Sequence, residues 1–173
     1  PRKAYVVSDW SGHYQPDQAC RLAVELAREL GFSTIVYEKN VGGKYVERAL
    51  QSYLDGFPPA ERPPMKLIGI PALDSKGLRA EPVAIRYETR EQIFHVVDPR
   101  PSARVPGQQL FNLTKLEQQM TTWVPGEKGQ ESPDRLDALV HGVTHLLRGF
   151  GGRAGSSVQA LRQPLSSRPR YVA

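Results

Sequence analysis

Thr34-Ile35-Val36-Tyr37-Glu38-Lys39-Asn40-Val41-Gly42-Gly43 reads as a strand that ends on an acid, turns through a glycine pair and opens a helix. Thr34 to Tyr37 are β-branched or aromatic, the composition of a half-buried strand. The glycine pair lets a backbone approach closely. Val46, Ala49, Leu50 and Tyr53 then recur at helical spacing, and Gly56 ends the run. Open α/β sheets place ligands in the crevice outside the carboxyl ends of their strands, which makes Glu38 a candidate site residue. A plainer reading competes, because strand-end acids often pair with a nearby lysine and Lys39 and Lys44 are available.

Working outward, Ala4 to Val7 predicts a strand ending at Ser8-Asp9. Pro16 and Asp17 suit a helix start, Cys20, Leu22, Ala23, Leu26, Ala27 and Leu30 give its stripe, and Gly31 stops it. Lys66 to Ile70 is a third strand, beyond a Pro-rich loop over Phe57 to Pro64. A helix is expected from Ala80 to Thr89, opened through Glu81-Pro82. A short strand follows from Gln92 to Val97, then an irregular insertion from Asp98 to Gln109 and a helix from Leu113 to Trp123. Strands alternating with helices predict an α/β layered domain with a mixed sheet.

The 173 residues are most simply one domain. The net charge of +5 is local. Arg148, Arg153, Arg162, Arg168 and Arg170 are joined by no acid, and without these five the chain carries eighteen basic and eighteen acidic residues. Residues 149–173 are rich in Gly, Ser and Pro, so a basic, disordered tail is expected, able to touch phosphates or to serve as a solvated linker. No apolar run approaches the ~20 residues of a membrane span. Cys20 is the one cysteine, which rules out an internal disulfide and fits a reducing compartment. The chain opens on Pro1 and is expected to be a piece of a longer one.

Ser132-Pro133-Asp134-Arg135-Leu136-Asp137-Ala138-Leu139-Val140-His141 opens the last helix, expected over Pro133 to Leu147. Ser132 suits the N-cap and Pro133 the first helical position. Leu136, Leu139, Val140, Val143, Leu146 and Leu147 form the apolar stripe. Asp137, His141, Thr144, His145 and Arg148 share another face at spacings of three or four. Asp134 complements the helix dipole. Asp137 is flanked by core positions, so a purely structural role explains it less well than Asp134, and from spacing alone a structural and a functional role both stay open. Acids at a strand end and on a nearby helix are able to hold divalent cations for phosphodiester hydrolysis, and two-metal sites need several carboxylates around ions about 3.5–4 Å apart.

Four segments occur in one order: Glu38 to Gly43; Lys76-Gly77-Leu78-Arg79-Ala80-Glu81-Pro82-Val83; Leu116-Glu117-Gln118-Gln119-Met120 with Trp123; and Ser132 to Val140. This series resembles the C-terminal nuclease domain of the large terminase subunit of tailed phages, over Ala4 to Leu147. The resemblance implies an RNase H-like fold over residues 1–148, with a central mixed sheet flanked by helices. It implies an endonuclease that cuts concatemeric viral DNA during packaging, located in the host cell cytoplasm. Two Mg²⁺ or Mn²⁺ ions are implied, one activating water and one stabilising the leaving 3′ oxygen. Glu38 and Asp137 match the family's strand and late-helix acids, and Asp134 is a possible assistant. Double-stranded DNA is the implied substrate, with the terminase small subunit, the portal and an upstream ATPase domain as implied partners.

The departure from the family lies at the front. The family's first catalytic aspartate belongs to an N-terminal hairpin preceding the strand that resembles Ala4 to Asp9, and this chain begins after it. Asp9 is the substitute candidate, although a helix follows it where a hairpin is expected. Without that aspartate, weakened metal binding and an inactive fragment are expected. Lys76 and Arg79, read as a loop before a helix, are candidate DNA-backbone contacts, against a solvated basic loop as the alternative. His141 and His145 have the spacing of zinc ligands but no companion cluster; a surface pair is expected, with His141 at the edge of the site. His13 and His95 receive no role, and Trp10 and Tyr14 are read as packing. Two rival functions stay open: a non-catalytic RNase H-like binding module, and a resolvase-like RNase H-fold nuclease.

Overall fold

Each strand among the described residues is followed by a helix, and a fifth helix is the last described element. The computed structural model describes residues 3–40, 42–89, 93–97 and 111–148. The order is β1 (Ala4–Val6), α1 (Pro16–Leu30), β2 (Thr34–Glu38), α2 (Gly43–Asp55), β3 (Lys66–Ile70), α3 (Lys76–Glu88), β4 (Ile93–His95), α4 (Thr114–Thr122) and α5 (Asp134–Arg148). The chain is therefore α/β. The expected insertion at Asp98 to Gln109 and the basic tail at 149–173 lie outside the described residues.

One expectation is corrected. Instead of one central mixed sheet, the described strands form two separate parallel pairs, β1 with β4 and β2 with β3. Antiparallel neighbours are commonly joined by tight hairpins, whereas parallel neighbours need a long crossover. Here no two successive strands are joined without a helix between them. Ala4 faces Ile93 in the first ladder, and Thr34 faces Lys66 in the second, which runs to Glu38 opposite Ile70.

Two apolar clusters hold these pairs. Cys20 and Val24 of α1 meet Leu50 and Leu54 of α2, and Ile35, Tyr37 and Leu67 of the β2–β3 pair pack against them. Ala4, Ile93, Val83 of α3, and Val140 and Val143 of α5 form the second. Helix α5 also reaches β2, so it spans from one cluster to the other. Of its predicted stripe, Val140 and Val143 are buried and Leu136, Leu139 and Leu147 pack against them, but Leu146 is 54% exposed.

The helix ends show how local chemistry sets these bounds. Pro16 fills the first position of α1, and the Gln15 amide donates to Gln18 Oε1 at 3.2 Å. Gly31 ends it with φ of 72°, while the Phe32 amide donates to the Ala27 carbonyl and the Gly31 amide to that of Arg28. This is the Schellman pattern, which favours a residue without a Cβ. Two starts differ from expectation. Helix α3 opens at Lys76, capped by Ser75 Oγ accepting from the Leu78 amide, with Pro82 inside it. In α5 the first intrahelical bond runs from the Asp137 amide to the Pro133 carbonyl, which makes Pro133 the cap in place of Ser132.

A candidate cation site between β2 and α5

Glu38 stands at the carboxyl end of β2, and the chain beyond it is braced. The Lys39 amide donates to the Ile70 carbonyl at 2.9 Å, which extends the ladder past the strands. The Asn40 side-chain amide donates to the Ala72 carbonyl at 2.7 Å and accepts from the Ala72 amide at 3.0 Å. That two-point clasp ties the loops after β2 and β3. Gly42 then takes φ of 79° and Gly43 starts α2 with its Cα beside the Glu38 carbonyl, where an added Cβ would lie 3.2 Å away. The glycine pair is thus used for a left-handed turn and a close approach, as its sequence suggested.

The lysine alternative for Glu38 is not realised. The Lys39 stem lies over Gly69 of β3, in the space that a side chain there would fill. The nearest ionisable partner of Glu38 is His141, whose Nε2 is 3.9 Å from Glu38 Oε2. His141 Nε2 is also 3.9 Å from Asp137 Oδ1, one helical turn back on α5. Glu38, Asp137 and His141 each turn a donor atom toward the others, all within 4.8 Å.

Asp137 is the one buried charged residue among those described, at 8% exposure. A buried carboxylate needs a partner, and α3 supplies it. Arg79 Nη2 lies 2.7 Å from both Asp137 oxygens, and Nη1 donates to the Asp74 carbonyl at 3.0 Å. One turn earlier on both helices, Lys76 Nζ donates to Asp134 Oδ1 at 2.7 Å and to Ser132 Oγ at 2.6 Å. Lys76 is also 3.8 Å from Asp137 Oδ2. The result is a two-rung ladder between the first turns of α3 and α5. Lys76 and the Ser132 hydroxyl both donate toward Asp134, which holds its carboxyl below the usual carboxylate value. Lys76 and Arg79, read from sequence as a loop, occupy the first turn of a helix and are already paired with acids.

Asp9 is engaged elsewhere. Its Oδ2 accepts from Arg135 Nη1 at 2.5 Å and its Oδ1 from the Ser11 amide at 3.0 Å. The Asp9–Arg135 pair is nearly closed to solvent on the aspartate side, and Asp9 is not a member of the Glu38, Asp137 and His141 group. His145 is not a member either. Asp134 lies beside the group, paired to Lys76 and 76% exposed at its side chain.

Two of the three buried side-chain polar atoms without a hydrogen-bond partner among the described residues are His141 Nε2 and Arg79 Nε. Both belong to this site. Buried polar atoms are normally satisfied, so each orphan calls for an explanation. An unpartnered imidazole nitrogen between two carboxylates suits a cation in donor type and spacing. Donor atoms about 2.1 Å from one ion are at most about 4.2 Å apart. Both His141 separations fall inside that limit. Glu38 is 44% exposed at its side chain and free to make the last approach.

The sequence reading named Glu38 and Asp137 but placed His141 only at the edge. The signal was present, since His141 follows Asp137 by four residues on one helical face. No protein-family model matches the chain, and no curated protein matches it.

Proposed function

We propose that this chain is a metal-dependent DNA endonuclease domain of the terminase large-subunit type, with an RNase H-like arrangement of its strands and helices. The observation that carries the reading is the meeting of Glu38 from the carboxyl end of β2 with Asp137 and His141 from α5. The strand-end acid and the late-helix acid, far apart in sequence, are the pair that the resemblance implies. The packaging role, with concatemeric DNA as substrate and the small subunit and portal as partners, rests on that resemblance.

Glu38 and Asp137 supply negative charge, and His141 a neutral nitrogen donor. When bound, a divalent ion supplies Lewis-acid polarisation of a phosphodiester oxygen and a water of lowered pKa. The three donors suffice for one ion, and a second would need carboxylates beyond them. Arg79 holds the Asp137 carboxylate through both oxygens, and each oxygen can accept a further bond. Lys76 has three ammonium donors, two of which meet Asp134 and Ser132. The third is available to a backbone phosphate, a contact that reads no sequence and weakens with salt.

The Arg79–Asp137 pairing favours a second reading, a nucleic-acid-binding module without catalysis, because the central acid is already neutralised. Plasmid nicking in Mn²⁺ separates the two. The chain, and a version extended upstream, are compared with their Glu38→Ala and Asp137→Ala variants. Metal-dependent cutting lost in both variants supports the nuclease. Cutting retained in either removes the site, and a folded protein that binds DNA without cutting favours the module.

A further inference from the structure

We propose that His141 is a direct ligand of the ion held by Glu38 and Asp137, so that the site prefers nitrogen-accepting divalent metals, Zn²⁺ and Co²⁺ ahead of Mn²⁺, and Mn²⁺ ahead of Mg²⁺. The inference deepens the proposed nuclease reading and rests on the same three residues.

The geometry separates ligation from the two ordinary roles of a histidine beside acids. An imidazole that orients a carboxylate donates to it at hydrogen-bond distance, about 2.7–3.2 Å. His141 Nε2 stands 3.9 Å from the nearest oxygen of each acid, beyond that reach. An imidazole that merely lines a site keeps its nitrogen wet or bonded to the main chain. Here Nε2 is closed to solvent and bonded to nothing. The remaining role for a nitrogen lone pair equidistant from two carboxylate oxygens is to share a cation with them.

The surroundings fix that posture. His141 is set on α5 between Val140 and Val143, both packed in the core, so the backbone carrying the ring cannot turn away. Asp137, one turn back, is held by Arg79. Two of the three donors are therefore fixed before any ion arrives, and only Glu38 has to move.

Metal preference follows from the donor set. Carboxylate and water oxygens suit Mg²⁺, whereas imidazole suits Zn²⁺, Co²⁺ and the later transition metals. Two carboxylates and one imidazole use donor types that zinc accepts, though with fewer imidazoles than the usual three-ligand zinc sites, and leave positions for water. Mg²⁺ gains little from an imidazole and dehydrates reluctantly. Replacing the ring should therefore weaken Zn²⁺ or Co²⁺ strongly and Mg²⁺ hardly at all.

The test uses the metals themselves as probes, independent of cutting. Calorimetric titration of the chain with Zn²⁺, Co²⁺, Mn²⁺ and Mg²⁺ is compared with His141→Gln and Glu38→Gln. Electron-spin-echo spectra of the Mn²⁺ form report whether a nitrogen is directly bound. The expected result is nitrogen modulation in the unsubstituted chain and its loss in His141→Gln. Zn²⁺ affinity should fall by about tenfold or more, with Mg²⁺ changed by no more than about threefold. Glu38→Gln should weaken every metal while keeping the nitrogen signal at saturating Mn²⁺. Circular dichroism establishes that each variant is folded. Mn²⁺ bound without a nitrogen signal, or Zn²⁺ affinity unchanged in folded His141→Gln, overturns the inference and leaves the nuclease reading intact. Zn²⁺ bound through His141 by a protein that cuts no DNA even in its upstream-extended version upholds the inference and overturns the nuclease reading. Failure of all four metals to bind this chain overturns the inference, and their failure to bind the upstream-extended version as well overturns both.

Discussion

One guanidinium nitrogen of Arg79 lies 2.7 Å from each carboxylate oxygen of Asp137. Both side chains are mostly buried, at 15% and 9% exposure. The Asp137 charge is thus balanced from within before any ligand arrives, while Glu38 has no such cationic partner among the described residues, and the balance can be tested by removing either member of the pair.

Arg79→Gln leaves a buried carboxylate without its counter-ion. Loss of one partner of a buried pair costs on the order of 3 kcal/mol. Thermal unfolding in chelator should show the drop. Added Mn²⁺ should recover part of it, since a ligand bound only by the folded state stabilises that state. A drop that divalent ions leave untouched would mean that no cation takes the place of Arg79.

Asp137→Asn and Glu38→Gln should each abolish metal-dependent plasmid cutting. The two differ in stability. Asp137→Asn leaves Arg79 buried without a full counter-charge and should lower the melting temperature, whereas Glu38, 44% exposed at its side chain, should change it little. Scanning calorimetry beside the nicking assay separates the two effects.

Lys76→Met tests the outer rung of the ladder through pH. The folded-state pKa of Asp134 is depressed, chiefly by the Lys76 hydrogen bond. The stability it contributes is therefore present above the unfolded carboxylate value near 3.8 and is lost as pH falls through the lower folded value. The unsubstituted chain should exceed Lys76→Met by a small margin near neutrality, and acidification through that window should shrink the margin. Asp134 is largely exposed, so the effect is modest. Urea titrations from pH 7 downward measure it.

Asn40→Asp should cost about 1–3 kcal/mol, because a carboxylate replaces the amide that donates to the Ala72 carbonyl and faces that oxygen without a proton. Metal affinity should fall with it, since the Asn40 clasp sets the loop carrying the chain away from Glu38. Unchanged metal binding in a destabilised Asn40→Asp would detach the clasp from the site.

Tyr87→Phe tests a polar chain that begins on a residue packed against the α5 cluster. The Tyr87 hydroxyl is 2.9 Å from His95 Nε2, and His95 Nδ1 is 2.6 Å from Glu117 Oε1. Burial first, and the nearby Glu117 charge second, push the phenol far above its ordinary value, so it acts as a neutral hydrogen-bonding group. Its loss should cost about 1 kcal/mol, measurable in urea, and leave DNA cutting unchanged.

What was legible in the sequence was local. Gly31 ends α1 because the chain there takes a left-handed conformation, and Thr34 to Tyr37 read as a strand because all four are β-branched or aromatic. Glu38 and Asp137 stood out as acids bordered by apolar residues. Misreadings came where tertiary partners decide. Pro82 looked like a helix start, but the Ser75 cap, the Arg79 contacts and the burial of Val83 carry α3 through it from Lys76. The ladder was written as two i, i+3 pairs, Lys76 with Arg79 and Asp134 with Asp137, yet only the packing of α3 on α5 brings them face to face. Likewise, alternating strands and helices do not say which strands pair, so two parallel pairs replace the expected single sheet.

The two apolar clusters give the site a mechanical character. Glu38 is carried by the strand pair that packs on Cys20, Val24, Leu50 and Leu54, while His141 rides on the helix that buries Val140 and Val143 on the other side. An ion bound between them, as proposed, would be a rivet across a seam. Its occupancy would set how far the two halves can breathe apart, and amide exchange along both faces of that seam should slow together when metal is added.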